Sequence, residues 1–357
     1  MAKVNSLYSS WLTSLLLFIT ALAPLSGAAY ASTPTSSASP PSSTGTSTPD
    51  SDSLRIVQYA GTLYAPGSSA KVHVAELVNS TRPVHVTNVL WGTWTLWSNK
   101  TMVMTKGGTN IDPSIPSNAW ALTEMKTVQK AGVAVSMFMR GGWGNFNNDS
   151  NFDTYYSVLH DTLKKYGFDG IDLDIEDNTD GNEHPITIEP VTKLVKRLRQ
   201  DFGPDFVITL APVSTAMAGS GSNLSKFSYK ELEKRAGDAI SWYNVQFYYL
   251  SNELGSTASV DSVINNGWSP ERIVIGMMTT PDFPPFIEFS KVAKTLQKLK
   301  KKYPAIRGID GFDYYDQKPG GYPAPWEWPR WAVRQMKRSG DGGAAPSAGV
   351  RGMVFKA

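Results

Sequence analysis

The chain has 357 residues, of which 41% are hydrophobic and 18% charged, and its formal net charge is +3 at pH 7. This length allows one large domain or two ordinary ones, and so small a net charge does not indicate a nucleic-acid partner. The sequence contains no cysteine, so a packed core must stabilise the fold without disulfides. The basic run KLKKKY at 298–303 is interpreted as a solvated helix face.

The first residues have the pattern of a targeting segment. Lys3 precedes an apolar run at 11–25, and small residues follow up to Ala31. Because the apolar run is short for a membrane span, residues 1–31 are predicted to form a secretory signal peptide. We therefore expect a secreted, extracellular protein with no membrane association after the signal is removed.

Composition separates the rest of the chain into three parts. Residues 32–53 are rich in Ser, Thr and Pro, which predicts a disordered linker or an O-glycosylated stalk. Residues 54–338 are predicted to form the folded catalytic domain, and the Gly, Ala and Ser of 339–357 predict a disordered tail. Acceptor patterns for N-glycans begin at Asn79, Asn99, Asn148 and Asn223.

Short β-rich runs alternate with segments of helical periodicity through the folded part. Strands are predicted at 55–60, 86–94, 133–140, 168–176, 206–212, 240–248, 272–278 and 306–315. Helices are predicted at 119–131, 152–166, 188–202, 230–235 and 290–303. This alternation predicts an α/β fold with a parallel sheet, and about eight units suit a single-domain (β/α)8 TIM barrel with its site at the carboxyl ends of the strands. A doubly wound open sheet is the alternative, but no Gly-rich dinucleotide fingerprint follows a predicted strand.

The segment YGFDGIDLDIED at 166–177 places acids inside an apolar run. In a β-strand, alternate side chains face opposite ways, so Asp172, Asp174 and Glu176 share one face and the intervening Ile and Leu share the other. Three neighbouring carboxylates repel one another and are costly to bury. The pattern is consistent with a metal site, an acid/base site or a structural hydrogen-bond network.

A metal site is the weaker interpretation of these acids. The stretch EDNTDG at 176–181 resembles a calcium-binding loop, but such a loop needs a bidentate Glu where Thr187 stands. A calcium-binding loop of this type also follows a helix, whereas this stretch follows a predicted strand. The acid/base interpretation is favoured because crowded carboxylates share protons, so one stays protonated and can act as a general acid. Glu176 is the outermost acid and the best placed to reach substrate. No metal and no cofactor are predicted.

The stretch DGIDLDIE resembles the DGxDxDxE signature of glycoside hydrolase family 18, which contains the chitinases and their relatives. Three further segments, TLAPVSTAM at 209–217, ISWYNVQFYY at 240–249 and PGGYPAPWEW at 319–328, resemble pieces of secreted fungal members. The sequence VQFY also resembles members of the plant hevamine type. The resemblance covers most of the chain from Leu54 to Arg338.

The resemblance implies a role for four side chains. Glu176 would be the catalytic acid, and the acetamido oxygen of the substrate would act as the nucleophile in place of a protein carboxylate. Asp174 would orient the acetamido N–H and stabilise the oxazolinium cation. Asp172 would exchange a proton with Asp174, and Tyr248 would donate its hydroxyl to the acetamido oxygen.

The resemblance also implies a set of substrate-binding residues and shows two departures. The set comprises Gln246, Asn244, Phe312, Trp143, Met217 and Tyr59. Phe312 stands where many family members have a Trp that forms the floor of the sugar site. The sequence SMFMRGGWG also separates Ser136 from the glycines that usually follow it closely in the family. Asp169 has the opposite register to Asp172 and is predicted to support the strand from outside.

The preferred functional prediction is a secreted endo-chitinase, expected to be monomeric, that binds chitin or N-acetylglucosamine oligosaccharides. The alternatives on the same barrel are a non-catalytic chitin-oligosaccharide binder and an endo-β-N-acetylglucosaminidase. A barrel enzyme acting on phosphate esters rests on fold alone. The interval 276–308 leaves no room for the α+β insertion that walls the cleft of some family members, which predicts an open groove.

Overall fold

The computed structural model of the chain describes residues 54–106, 109–176, 186–221, 223–250, 253–281 and 286–337. Its strands are β1 (Arg55–Ala60), β2 (Asn88–Leu96), β3 (Met102–Lys106), β4 (Thr109–Ile111), β5 (Ala134–Gly141), β6 (Gly170–Leu173), β7 (Val207–Leu210), β8 (Trp242–Gln246), β9 (Ile273–Met278) and β10 (Gly308–Phe312). Its α-helices are α1 (Ala119–Lys130), α2 (Asp149–Tyr166), α3 (Ile188–Phe202), α4 (Ser214–Ala218), α5 (Tyr229–Ala236), α6 (Ala258–Asn265), α7 (Phe289–Lys302) and α8 (Glu327–Met336).

Eight of the strands in these described ranges pair in parallel and close into a barrel. Their order is β1, β2, β5, β6, β7, β8, β9 and β10, and β10 pairs with β1 again. Strands β3 and β4 form an antiparallel hairpin that extends β2 outside the closed ring. The predicted (β/α)8 TIM barrel is confirmed, and it places the carboxyl ends of all eight strands on one face.

Strand side chains alternate between the barrel interior and the layer beneath the helices. On β6, Ile171 and Leu173 belong to the large core that also contains the buried helix side chains, while Asp172 is buried on the opposite side. A smaller apolar cluster fills the interior, and it contains Val57, Tyr59, Leu90, Phe138, Trp242 and Val274. The two-residue period read from the sequence therefore places the acids inside the barrel.

Helix α2 precedes the acidic strand β6 and leads directly into it. It begins after Asn148, whose Oδ1 accepts a hydrogen bond from the Ser150 amide at 3.0 Å, and it ends at Gly167 with a φ of 66°. Asp169 then lies outside the barrel, where its Oδ2 accepts from the Val135 amide at 2.8 Å and from Gln129 Nε2 at 2.7 Å. The prediction that Asp169 supports the strand from outside is confirmed.

The structure differs from the predicted elements in several places. Strand β6 ends at Leu173 and not at Glu176, although the Asp174 amide still donates to the Met139 carbonyl at 3.0 Å. The hairpin β3–β4 and helices α4 and α6 were not predicted. The two strands of the hairpin have five and three residues and helix α4 has five, which is too few for a clear period.

The interval between β9 and β10, residues 279–307, is short. Its described part contains helix α7 and no α+β module, in agreement with the predicted single domain. None of the helices in the described ranges combines the length and the apolar character needed to cross a bilayer. The predicted signal peptide, linker and tail lie outside the described residues, as does the acidic stretch at 177–185.

Gly170 shows why the acidic motif contains a glycine before its first interior acid. A Cβ atom at this position would lie 2.3 Å from the carbonyl oxygen of Val207 and 2.5 Å from Ser136 Oγ. Val207 belongs to β7, so a side chain here would push the backbone of β7 away from β6, and it would also displace the hydroxyl of Ser136 on β5. The close approach of β7 to β6 beneath the acids therefore requires glycine.

We expect Gly170→Ala to lower the free energy of unfolding by about 1–3 kcal/mol, because the added methyl group meets backbone that cannot move aside without opening the barrel. Urea denaturation of the folded chain measures this change. The control is Gly67→Asn, since a Cβ atom at Gly67 would meet nothing within 4 Å and Asn tolerates its φ of +71°. An equal loss in the two variants would contradict the explanation by close packing.

Candidate active site

Asp172 occupies the deepest position of the acidic row. Its Oδ1 accepts hydrogen bonds from Thr209 Oγ1 at 2.5 Å and from Asn244 Nδ2 at 2.9 Å, and its Oδ2 accepts from Tyr59 Oη at 3.0 Å. These donors come from three different strands, β7, β8 and β1. Burial raises the pKa of Asp172 to about 6, and the three hydrogen bonds oppose that rise. Asp172 can therefore hold a proton at mildly acidic pH.

Asp174 and Glu176 share one guanidinium group. Arg140 of β5 donates from Nε to Asp174 Oδ2 at 2.8 Å and from Nη2 to Glu176 Oε2 at 2.9 Å. The Asp174 side chain is 6% exposed and that of Glu176 is 14% exposed, so exposure increases toward the mouth of the barrel. The row thus ends in a carboxyl group that solvent or substrate can reach.

The charges of this group are strongly interdependent. Burial and the repulsion of Glu176 raise the pKa of Asp174 well above its ordinary value, while the positive charge of Arg140 opposes the rise. Burial alone would lower the pKa of Arg140, but the two carboxylates raise it above its ordinary value. Arg140 therefore stays charged, and Asp174 keeps its proton to higher pH than an ordinary aspartate does.

Gln246 at the end of β8 reaches the same two acids. Its Nε2 lies 3.2 Å from Asp174 Oδ1, 3.1 Å from Glu176 Oε1 and 2.8 Å from the carbonyl oxygen of Ala211. An amide nitrogen carries two hydrogens, so these three acceptors share two donors. Gln246 can therefore give up its contact with one carboxylate and remain held by the other two acceptors.

Two aromatic rings lie beside the acids. Tyr248, just past β8, and Phe312, the last residue of β10, are nearly parallel, with ring centroids 6.3 Å apart and planes at 14°. Tyr59 meets the Phe312 ring edge-on at 5.8 Å. Burial raises the pKa of Tyr248 well above its ordinary value, with further contributions from the buried acids around it, so its phenol stays protonated as a donor.

The predicted substrate-binding residues fall into distinct positions. Gln246 and Phe312 lie with the acids at the carboxyl ends of their strands. Asn244 and Tyr59, which are 1% and 3% exposed, lie deeper and bind Asp172. Their observed contacts hold the acid, and in this structure they present almost no surface to a ligand.

Trp143 and Met217 are placed away from the cleft. They are 2% and 0% exposed and pack in the core beneath the helices. Trp143 Nε1 donates to the carbonyl oxygens of Arg140 at 3.2 Å and Asp174 at 3.1 Å, and the Met217 carbonyl accepts from Trp268 Nε1 at 2.9 Å. In this structure neither side chain belongs to the inward-facing set, and neither presents surface to the cleft.

Arg140 and Thr209 belong to the site although sequence reasoning missed them. Arg140 shares the strand register of Ser136 and Phe138, so the alternation that identified the acids also points it inward at the carboxyl end of a strand. Thr209 occupies the inward position of the short strand VITL. An arginine at an inward-facing position of a predicted strand can be recognised from the sequence as a candidate site residue. A single threonine in a four-residue strand cannot.

Two buried acids fix the loops that carry the rings. Asp313 Oδ1 accepts from the Gly61 amide at 3.1 Å and the Tyr314 amide at 2.6 Å, which connects the end of β10 to the chain after β1. Burial raises the pKa of Asp313 to about 7. Glu253 accepts from the Leu250 amide at 2.7 Å and from Ser214 Oγ, and so holds the chain after β8.

Within the described ranges, no cluster of three His, Asp or Glu side chains is arranged to hold a metal ion.

Comparison with known proteins identifies the family. The sequence model described as Glycosyl hydrolases family 18 matches residues 68–283. A solved fungal endo-β-N-acetylglucosaminidase of that family is 29% identical, with a TM-score of 0.71 over 79% of this chain and 98% of that chain. A chitinase from Aspergillus fumigatus is 27% identical, with a TM-score of 0.66 over 80% of this chain and all of that one (100%).

Curated relatives match over shorter stretches. An endo-β-N-acetylglucosaminidase from Flavobacterium sp. is 31% identical over 121 residues, which are 30% of this chain and 38% of that protein. The chain spans less than half the length of four curated relatives that it matches. The family match nevertheless covers more than half of this chain and includes the acidic strand β6. The chain therefore belongs to glycosyl hydrolases family 18, as the resemblance of DGIDLDIE predicted.

Proposed function

We propose that this protein is a secreted endo-chitinase that hydrolyses β-1,4-linked N-acetylglucosamine polymers with retention of configuration. One observation carries the proposal: three carboxyl groups lie in a single inward-facing row at the carboxyl end of β6, and their exposure increases from Asp172 to Glu176. The row supplies a proton store at its buried end and a proton donor at its open end.

The proposed reaction has two steps. In the first, Glu176 gives a proton to the glycosidic oxygen, the bond from C1 to that oxygen breaks, and the acetamido oxygen of the same sugar forms a bond to C1. In the second, water attacks C1, returns a proton to Glu176 and reopens the oxazolinium ring. Two inversions at C1 give net retention.

Neighbouring side chains support each step. Asp174 supplies the negative charge that stabilises the oxazolinium cation, and its contact with Gln246 holds it beside Glu176. Asp172, with a pKa raised to about 6, accepts or supplies a proton as the charge on Asp174 changes. Tyr248 stays protonated and donates its hydroxyl to the acetamido oxygen, which directs that oxygen toward C1.

The endo mode and the export of the protein are parts of the same proposal. The described part of the interval between β9 and β10 holds only helix α7, so no module of this interval walls the cleft. Phe312 offers less stacking area than an indole, which favours a shallow grip on the polymer. Residues 1–31 are proposed to direct secretion.

A second candidate is an endo-β-N-acetylglucosaminidase acting on the chitobiose core of N-glycans. The structural similarity to a fungal enzyme of that name, with a TM-score of 0.71, favours it. Both activities cleave a bond next to an N-acetylglucosamine residue, so the same row of acids serves either. They differ in what the rest of the cleft must hold, a linear polymer or a branched glycan.

Two substrates separate these candidates. We expect the protein to lower the viscosity of a soluble chitin derivative quickly, before much reducing sugar appears, because an open groove admits internal bonds. A protein with high-mannose N-glycans, assayed by mass spectrometry, should stay intact. Loss of the glycan to a single remaining N-acetylglucosamine, with the chitin derivative unchanged, would establish the second candidate and overturn the first.

We expect Glu176→Gln to lower kcat by about 10²- to 10⁴-fold while oligosaccharide binding changes little, since the amide keeps the shape but cannot deliver a proton. Asp174→Asn should also reduce kcat, because the oxazolinium cation would lose its counter-charge. Asp169→Asn is the matched control, an acid of the same motif that lies outside the barrel. Hydrolysis at the wild-type rate in the first two variants would contradict the mechanism, and a wild type that binds without cleaving would indicate a non-catalytic binder.

Participation of the acetamido group fixes the stereochemistry of the first product. We expect newly formed reducing ends to be β-anomers, because the two displacements at C1 cancel. Proton NMR within the first minutes of hydrolysis, before mutarotation, measures the ratio of anomers. An initial excess of the α-anomer would show that water attacks directly and would exclude the oxazolinium intermediate.

A further inference from the structure

Arg140 is the charged group that joins the two outer acids of the row. It lies on β5, the strand next to the acidic strand, and its side chain is 14% exposed. One guanidinium group contacts Asp174 through Nε at 2.8 Å and Glu176 through Nη2 at 2.9 Å. Because these nitrogens are fixed in one plane, the contact sets the relative orientation of two carboxyl groups that would otherwise repel each other.

The backbone on both sides of this ion pair is held from outside the barrel. Trp143 Nε1 lies 3.2 Å from the carbonyl oxygen of Arg140 and 3.1 Å from that of Asp174. One buried indole thus positions the strand ends that carry the cation and the acid. The main chain of both partners is therefore fixed at the position from which the side chains meet.

Other titratable and polar groups surround the two acids. Gln246 of β8 is neutral and contacts both acids. Among the described residues, the other titratable groups near the pair or near the tyrosines beside it include Asp172 of β6, Tyr59 of β1, Tyr229 of α5, Tyr248 after β8 and Asp310 of β10. These groups are acids and phenols, and the positive charge of Arg140 opposes the repulsion between the carboxylates.

We propose that Arg140 is a positioning residue for the reaction, which fixes the orientation of Asp174 and Glu176 and whose charge sets the pH range in which the pair works. The inference rests on the proposed function of these two acids. The proposed reaction needs a proton on Glu176 when it acts as the acid. A nearby cation favours the ionised form of a carboxyl group, and the positive charge of Arg140 opposes the rise in the pKa of Asp174.

Removal of Arg140 takes away the positive charge that opposes the raised pKa of Asp174, so the pair of carboxyl groups loses its protons at higher pH. The two limbs of the kcat/KM profile report the two proton losses of this coupled pair, so both limbs move to higher pH. An opposite charge in direct contact shifts a carboxyl pKa by about 1–3 units, so we expect a shift of about one unit or more.

The experiment compares Arg140→Gln, Arg140→Lys and a matched control. The control is Arg272→Gln, because Arg272 forms a similar two-point pair with Glu233, at 2.9 and 2.8 Å, beside the amino end of β9 and away from the cleft. The kcat/KM of each variant is measured against pH on a soluble chitin oligosaccharide. The side-chain carboxyl groups are also titrated by 13C NMR without substrate, in the wild type and in each variant.

We expect Arg140→Gln to move both limbs to higher pH and to lower kcat by about tenfold or more, with a smaller change in KM. In this variant Asp174 and Glu176 would no longer be held in one orientation when the substrate reacts. Arg140→Lys keeps the charge without the planar two-point contact, so its limbs should stay near those of the wild type while kcat falls. Arg272→Gln should lower Tm and leave the limbs in place.

Two results would overturn the proposal: unshifted limbs in Arg140→Gln, or a kcat of Arg140→Lys equal to that of the wild type. If Arg140→Gln does not fold, the kcat of Arg140→Lys decides the orientation role. The NMR titration needs no substrate, so it tests Arg140 even if the wild type fails to cleave chitin oligosaccharides. Such a failure would reject the proposed function and not the effect of Arg140 on the acids.

Discussion

The structure depends on one electrostatic constraint, the burial of three carboxyl groups in a single row. Each group needs partners, since an uncompensated buried carboxylate is strongly unfavourable. The partners of this row come from four other strands, with Tyr59 from β1, Arg140 from β5, Thr209 from β7, and Asn244 and Gln246 from β8. An open sheet would give β6 only its two neighbours, so closure of the barrel is what makes the acidic row possible.

The kind of partner changes along the row. Asp172 receives hydroxyl and amide donors only, and its pKa rises to about 6, which lets it exist with or without a proton. Asp174 and Glu176 face a guanidinium group that cannot lose its charge in the protein. Neutral donors thus surround the acid that is proposed to store a proton, and a fixed cation accompanies the two acids that are proposed to act on the substrate. The inner and outer ends of the row therefore differ because different strands supply their hydrogen-bond donors.

The sequence predicts which way a side chain points where the residue lies in a strand with a regular two-residue alternation. The alternation of DGIDLDIE correctly placed Asp172 inside the barrel and Asp169 outside, because a strand leaves two choices and the apolar residues decide between them. The sequence does not determine the direction of Trp143 or Met217, because Trp143 follows the end of β5, where the two-residue period stops, and Met217 lies in the short helix α4. Arg140 shows the intermediate case. Its register was available from SMFMR, but its two partners depend on the distance between β5 and β6, which no local pattern contains.

The aromatic side of the cleft shows how the same scaffold sets the grip on a ligand. Phe312 is held by the edge of Tyr59, by the parallel ring of Tyr248 and, through its neighbour Asp313, by the amide of Gly61. A ring fixed on these sides can offer a sugar only its remaining surface, and a phenyl ring has less of it than an indole. If the proposed substrate binds here, stacking would contribute less to binding than it would with Trp, and the polar contacts of the acetamido group would contribute relatively more. Since those contacts are the ones the proposed reaction uses at the bond to be cleaved, such a cleft would favour the reacting sugar over its distant neighbours along the polymer.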